Sequence, residues 1–399
     1  MIDAVSRPNV APTTIIQVTN ELATWLPAGA DATALADWSA AEWQAATWIV
    51  YWQSALPWFV QRLRETQAPV PDAIWSHLVT LEQDSRERTH RMLDDTVRFL
   101  EALAAQGISA LLLKGAALAP CYYPDPLLRP MGDIDVLVHE QDVEASVEVL
   151  ERLGYRFYSR SAEDVVYLKG ERRANVWAPD NVHPLELHYT LREEYAGLAY
   201  QLAPDLWRSA TKREYWRDTQ ALLPGTPALL HHVCAHATSD WLIQRGRLMH
   251  LGDLQMLAAK MFDEDWRTFL AGIDAYGARF IYPMLAFAVR YTDADIPAHV
   301  MARLAEKTPV ALRDWIARTE LGETSRSNPH PRSGLGLEMA RWLARSRGER
   351  FRMWLRSFFP RRWNLTKRYP RLTASPAWPL GYVLLNLDRA RHIVFKVGD

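Results

Sequence analysis

Apolar positions divide the chain into a helical start, a centre with strand-like runs and a helical remainder. Residues 18–106 and those from 204 onward carry apolar side chains at helical spacing, whereas the stretch between contains short alternating or continuous apolar runs. We therefore predict an α+β chain with three parts. They are an N-terminal helical segment (1–106), an αβ core (107–203) and a C-terminal helical domain (204–399).

The N-terminal segment contains clear signals for helix starts and stops. Ser39 and Glu42 match a capping box, Pro57 interrupts the helical run that follows, and Asp72 is the expected cap of the next helix. Gly107 is the expected stop. The many Trp residues have no basic residues among them, which favours packing between helices over a platform for stacking bases.

The centre of the chain begins with a strand, a turn and a helix. The apolar run ending at Leu113 stops at Lys114 and Gly115, and a Pro-rich loop leads to a second extended run that contains Asp133 and Asp135. Side chains two residues apart on a strand share a face, so these acids are expected side by side. Their repulsion would be relieved by a hard divalent ion such as Mg²⁺, and a pair of solvated acids is the alternative. For the same reason, replacing either acid by Asn should leave the fold intact or slightly more stable.

A third acid follows in a later strand. Alternation places Glu186 and His188 on one face of that strand and Leu185 and Leu187 on the other. Three carboxylates on adjacent strands would form a better metal site than two. His188 is expected to orient Glu186 by a hydrogen bond or to approach a phosphate, and a purely structural histidine is the alternative. Before this strand we predict a helix that ends at Gly154 and three short strands. The strands are Tyr155–Tyr158, Val165–Leu168 and Asn175–Trp177.

These motifs together resemble the DNA polymerase beta-like nucleotidyltransferase superfamily, and within it a bacterial family usually labelled uncharacterised nucleotidyltransferase. The residues that carry the resemblance are Lys114-Gly115-Ala116, Arg129, Asp133-Ile-Asp135 and Leu185-Glu186-Leu187-His188. The resemblance implies a small mixed sheet flanked by helices. It also implies that Asp133, Asp135 and Glu186 hold two Mg²⁺ ions and act in catalysis, with a nucleoside triphosphate, expected to be ATP, as co-substrate.

Within this resemblance, four residues are the expected triphosphate contacts: Lys114, Gly115, Ala116 and Arg129. Backbone N–H groups at a helix start and a guanidinium both suit anionic oxygens. Ala116 stands where the superfamily has Ser or Gly, so one phosphate donor is missing and Lys114 supplies a charge instead. Glu186 is expected to be the base or the third metal ligand.

The C-terminal part contains a helix with His232, His236 and Asp240 one turn apart on one face. We interpret this segment as a wall of the active-site cleft, with His236 and Asp253 as candidate substrate contacts. A zinc site and plain hydrogen bonding between helices are the alternatives. Farther on, residues 341–371 are basic and aromatic, which suits an anionic lipid or nucleic-acid surface, although helical spacing favours a solvated basic face of the helical domain.

Composition limits the classes of protein that this chain can represent. It has 399 residues, a net charge of −1 and two cysteines, which argues against a disulfide scaffold and a general nucleic-acid binder. We expect a cytoplasmic protein because neither a secretory signal nor an apolar run of about 20 residues is visible. Nucleic acid is not an expected partner.

Three functions agree with these motifs. The first is nucleotidyl transfer to a hydroxyl of a small molecule, and the second is transfer to a hydroxyl of a protein or peptide, as in antitoxin-like members of the superfamily. The third is a nucleotide-binding module without turnover. The presence of all three acids favours an enzyme, whereas the identity of the acceptor, the nucleotide and the oligomeric state are not encoded in these motifs.

Overall fold

A computed structural model describes residues 5–27, 32–195, 198–274, 276–328, 341–360 and 375–395, together with residues 365, 369 and 372. The first 106 residues contain four α-helices in this part of the chain. They are α1 (Pro12–Trp25), α2 (Ala40–Trp52), α3 (Leu56–Thr66) and α4 (Asp72–Ala104).

The signals at the ends of these helices have different outcomes. The capping box of Ser39 and Glu42 is confirmed, because each residue bonds the backbone N–H of the other. Pro57 lies in the first turn of α3, where the missing N–H costs nothing. The prediction for Asp72 is wrong, since Pro71 occupies the cap position and Asp72 is the first helical residue.

A seven-stranded mixed sheet forms the centre of the molecule, in agreement with the predicted α+β class. Its strands are β1 (Ala110–Leu112), β2 (Ile134–Val138), β3 (Arg156–Arg160), β4 (Asp164–Lys169), β5 (His183–His188), β8 (Thr211–Glu214) and β9 (Gln220–Leu223). Their order across the sheet is β3-β4-β5-β2-β1-β9-β8. A separate hairpin contains β6 (Arg192–Tyr195) and β7 (Leu198–Gln201). The helices between the strands are α5 (Lys114–Tyr122), α6 (Val143–Arg152) and α7 (Ala203–Arg208).

Two sequence predictions about strands are wrong. Residues 175–177 form no strand, because Tyr51 and Asp84 bond the Asn175 side chain and hold this segment as a loop on α2 and α4. The helical pattern returns at α7, as predicted from residue 204, but it does not continue, since β8 and β9 then extend the sheet through parallel pairing of β9 with β1. The division of the chain into three domains stays a prediction.

Helices make up the described chain after β9. They are α8 (Thr226–Leu242), α9 (Leu248–Ala258), α10 (Asp263–Ala271), α11 (Ala278–Tyr291), α12 (Ala298–Lys307), α13 (Val310–Arg318), α14 (Leu321–Thr324), α15 (Arg347–Phe358) and α16 (Leu380–Phe395). Helix α9 packs on α5 and α8 packs on β6. Both helices therefore lie beside the part of the sheet that carries the acids, and residues of both line one cavity with Asp133 and Glu186. Among the described residues, no helix has the length and apolarity to cross a membrane.

Helix α15 belongs to the basic, aromatic end of the chain. The helical spacing of the aromatic residues here does not bury all of them, because Phe351 and Trp354 on the helix and Phe359 directly after it are exposed. Trp342 does pack, because it stacks on Trp315 with ring centroids 4.6 Å apart. Trp363 lies outside the described residues.

Candidate active site

The turn from β1 into α5 shapes one side of the site. Lys114 has φ 39°, in the left-handed region that costs a residue with a side chain about 1 kcal/mol or more. Gly115 follows because its backbone lies against Arg129, where a Cβ atom would overlap the Nη1 atom of the guanidinium. The start of α5 also leaves its first N–H groups, including those of Gly115 and Ala116, without partners inside the helix. This turn therefore presents polar backbone beside the acids.

Asp135 is the buried centre of the site. Its Oδ1 atom accepts a hydrogen bond from Lys114 Nζ at 2.8 Å and another from His188 Nε2 at 2.9 Å. Burial by itself would raise the pKa of Asp135, but the charge of Lys114 and the bond from His188 outweigh it and hold the pKa well below its usual range. Asp135 is thus ionised, and Lys114 is its counter-ion. His188 orients Asp135, whereas its ring lies 3.8 Å from Glu186.

Glu186 lies directly beside Asp135 because β2 and β5 are parallel and pair these two residues in register. Burial raises the pKa of Glu186 to about 7, and the neighbouring charge of Asp135 adds to this effect. The second oxygen of Asp135, Oδ2, is buried without a hydrogen-bond partner in the described structure. Such an oxygen next to a second carboxylate fits a divalent cation with oxygen ligands.

Asp133 occupies a different environment from Asp135. It lies one residue before β2, is half-buried, and faces the same cavity as Glu186. The ligand atoms that approach one another within 4.8 Å belong to Asp135, Glu186 and His188. Asp133 lies at the open side of this group. The structure therefore brings Asp135 and Glu186 together, whereas Asp133 lines the cavity and is not part of this group.

Arg129 and Asp253 were predicted to contact nucleotide and substrate, and the structure joins them to each other. The guanidinium donates from Nε and Nη2 to the two carboxylate oxygens of Asp253, each at 2.8 Å, and both side chains are buried. Tyr123 donates a further hydrogen bond to Asp253. Both residues line the cavity, and their pairing fixes α9 against the loop before β2.

His236, on helix α8, lines the cavity opposite the sheet. Its Nδ1 atom is 3.1 Å from an oxygen of Glu193 on β6. Burial and the charge of Lys114 would lower the pKa of His236, but Glu193 outweighs them and raises it, while His236 in turn helps lower the pKa of Glu193 to about 2 despite burial. This pair therefore tends to be charged on both sides.

The zinc site considered for His232, His236 and Asp240 on helix α8 does not form with these three residues. The ring nitrogens of His232 are buried without partners in the described structure, and His232 is outside the cluster that could hold a metal. The residues that do cluster are His236, Asp240 and His250, where the histidine nitrogens lie 4.0 and 3.9 Å from Asp240 Oδ2.

These side chains surround a cavity of about 190 Å³ between the sheet and helices α8 and α9. Glu193, Arg247 and His250 belong to this environment and were not predicted. Arg247 stands directly before α9, but no local pattern distinguishes it from Arg245, which is exposed. Only the packing of α9 on α5 brings Arg247 and His250 to the acids.

Comparison with known proteins assigns the family. The family described as uncharacterised nucleotidyltransferase matches residues 39–293, which is more than half of the chain. The protein belongs to this family. It is therefore a nucleotidyltransferase, and the resemblance found in its motifs is confirmed. A comparison with curated proteins finds no match.

The solved structures that match this chain are distant in sequence. ANT(2")-Ia in complex with adenylyl-2"-tobramycin is 14% identical, covers 51% of this chain and 99% of its own, and has a TM-score of 0.33. Lincomycin-bound LnuA, a lincosamide antibiotic adenylyltransferase, is 14% identical over 34% of this chain and 82% of its own, with a TM-score of 0.24. A nucleotidyltransferase-like protein from Paracoccidioides brasiliensis is 16% identical over 49% of this chain and 92% of its own, with a TM-score of 0.28.

Proposed function

We propose that this nucleotidyltransferase moves a nucleoside monophosphate from a nucleoside triphosphate, with ATP as the expected donor, to a hydroxyl of a small molecule. The observation that carries the proposal is the pairing of Asp135 with Glu186 in register, together with the buried Oδ2 atom of Asp135, which has no hydrogen-bond partner among the described residues. In the reaction, the acceptor oxygen forms a bond to the α-phosphorus, and the bond from that phosphorus to the bridging oxygen breaks. Pyrophosphate leaves.

Asp133, Asp135 and Glu186 are the residues that would hold Mg²⁺. When bound, Mg²⁺ neutralises phosphate charge and lowers the pKa of an attacking hydroxyl. As the alternative to a metal ligand, Glu186 is the proposed base for the proton of the acceptor hydroxyl, because burial raises its pKa in the metal-free protein to about 7, near the pH at which a general base is most effective. His188 keeps Asp135 oriented, and the Arg129–Asp253 pair keeps the wall of the cavity in place.

Triphosphate binding is proposed for Lys114 and the backbone of Gly115 and Ala116. The ammonium lines the cavity at the start of α5, where helix N–H groups favour anionic oxygens. Arg129 adds positive charge at the same place, although Asp253 binds two of its nitrogens. The cavity of about 190 Å³ suits phosphates and metal ions better than a complete nucleotide.

A pyrophosphate-release assay tests the proposed function. Purified protein is incubated with each nucleoside triphosphate in turn, with Mg²⁺ or with a chelator, and with a mixture of hydroxyl-bearing metabolites. We expect Mg²⁺-dependent release and, by mass spectrometry, an acceptor that gains the mass of a nucleoside monophosphate. Tight nucleotide binding without any release under these conditions would instead identify a binding module.

Lys114→Met is expected to raise the KM for the nucleotide about tenfold or more, because a charge-assisted hydrogen bond to phosphate contributes about 1.5–3 kcal/mol. The KM for the acceptor should change much less, since this contact is made to the nucleotide. Steady-state kinetics with each substrate varied in turn measure both values. Lys212→Met on the exposed strand β8 is the matched control. An equal rise in both KM values would mean that loss of the counter-ion of Asp135 has disturbed the whole site.

A further inference from the structure

A second cavity opens beside the first. Its volume is about 550 Å³, in the range of small-molecule sites, and it shares Gly132, Asp133 and Arg247 with the smaller cavity. Asp133 therefore lies at the junction of the two spaces. A molecule in the larger cavity would contact Asp133, whereas Lys114 lines only the smaller cavity of the two.

The larger cavity is strongly cationic. Five arginines line it, and Asp133 is the only carboxylate among the described residues of its lining. The arginines are Arg88, Arg172, Arg173, Arg247 and Arg326. Such a concentration of one charge in a concave surface raises the local concentration of an oppositely charged ligand.

Several of these guanidinium groups have no counter-ion. Within the described chain, Arg172, Arg247 and Arg326 form no ion pair with a carboxylate, whereas Arg173 pairs with Asp180. The Nε atom of Arg247 is also buried without a hydrogen-bond partner. Arg172 and Arg326 are exposed at the rim of the cavity and Arg247 is half-buried. These guanidinium groups are therefore accessible to a negatively charged ligand that enters the cavity.

The walls of the cavity are held in place before any ligand binds. The loop between β4 and β5 is fixed to α2, because Trp177 Nε1 donates to the carbonyl of Tyr51 at 2.9 Å. It is fixed to α4 through Arg88, whose Nη1 donates to the carbonyl of Asn181 at 2.9 Å. Arg326 lies over the ring of Trp52, with its Cζ atom 5.6 Å from the ring centre. Three distant parts of the chain thus form one preorganised site.

We propose that the larger cavity binds the acceptor, and that this acceptor is a small molecule carrying an anionic group, such as a phosphate, in addition to its reactive hydroxyl. Arg172 and Arg326 bind the anion, the aromatic walls contact the body of the molecule, and the hydroxyl lies toward Asp133. This inference rests on the proposed function, because only nucleotidyl transfer makes the bound molecule an acceptor. A polycationic acceptor would be repelled by the same arginines.

The nucleotide itself is the competing source of phosphate. Its triphosphate is better served by the smaller cavity, where the start of α5 and Lys114 face Asp133 and Glu186. If the larger cavity held the triphosphate, Arg172 and Arg326 would be nucleotide contacts. The two assignments therefore differ in which ligand these arginines bind.

The test measures binding by calorimetry with two probes in the presence of Mg²⁺. The anionic probe is 4-nitrophenyl phosphate, with 4-nitrophenol as its neutral counterpart, and the nucleotide probe is an ATP analogue with a methylene bridge between the α- and β-phosphates. The variants are the double substitutions R172Q/R326Q and R172K/R326K. Arg245→Gln, at an exposed residue near the cavity that does not line it, is the control, and thermal unfolding checks that each variant folds.

We expect 4-nitrophenyl phosphate to bind the wild-type protein about tenfold or more tightly than 4-nitrophenol, and R172Q/R326Q to lose this difference. The Lys double variant should retain part of it, and the ATP analogue should bind all variants within about twofold of wild type. Unchanged probe binding in R172Q/R326Q, or displacement of the ATP analogue by the probe, would overturn the proposal. A wild-type protein that binds the probe but no nucleotide would refute the proposed function, and with it the acceptor role, while leaving the anion site itself.

Discussion

Asp135→Asn is expected to abolish nucleotidyl transfer and also to lower the free energy of unfolding of the metal-free protein by about 2–4 kcal/mol. Asp135 is fully buried and bonds both Lys114 and His188, so an amide in its place leaves the Lys114 ammonium without its counter-ion. Activity falls because the buried oxygen proposed for the metal disappears. The measurements are pyrophosphate release with Mg²⁺ and urea unfolding with a chelator.

Asp133→Asn is the matched comparison for this experiment. Asp133 is half-buried, and its side chain forms no ion pair or hydrogen bond within the described structure. Its replacement should lower activity strongly and leave the unfolding free energy within about 0.5 kcal/mol of wild type. From the sequence alone, we expected that either acid could be replaced by Asn without loss of stability. With the structure, we keep this expectation for Asp133 and drop it for Asp135. Equal stability of both variants would show that the bond between Lys114 and Asp135 contributes little.

Glu186→Gln is expected to lower kcat by about a hundredfold to ten-thousandfold, the usual contribution of a general base. Gln keeps the size of the side chain, and the packing of Leu185 and Leu187 on the other face of β5 is untouched. Nucleotide affinity should change little if the role of Glu186 is confined to the transition state. Single-turnover kinetics and nucleotide titration on the same variant separate the two effects. Joint loss of binding and turnover would make Glu186 an obligatory metal ligand, and full activity would remove it from the site.

The same substitution should change the pH dependence of stability in the metal-free protein. Folding raises the pKa of Glu186 from 4.5 to about 7, so the protonated form is favoured in the folded state. This contribution to stability is present below about pH 4.5 and is lost as the pH rises through 7. At pH 8, Glu186→Gln should therefore be more stable than wild type, by on the order of 1–2 kcal/mol after allowance for solvent contact, with no difference near pH 4. Urea unfolding at several pH values measures this.

Local signals in the sequence were enough for the elements around the site. The end of the apolar run at Lys114 and Gly115 predicted the turn from β1 into α5, and Gly154, with φ 83°, follows the end of α6 as expected. Alternation along β5 placed Glu186 and Leu187 on opposite faces. These predictions succeed because helix and strand periods act between residues that are close in the chain. The prediction of a strand at residues 175–177 was wrong because hydrogen bonds to α2 and α4 override the local pattern.

The sequence by itself therefore determined the fold class, the family and the acids that we propose for the site. Only the tertiary structure decided that Glu186 pairs with Asp135, that Lys114 neutralises Asp135, and that Arg129 is bound to Asp253. It alone also assembled the arginine-lined cavity from α4 and from loops far apart in the chain. Strand register and helix packing bring together residues separated by fifty or more positions, for example Asp135 and Glu186, and no local period records which distant partner a side chain will meet.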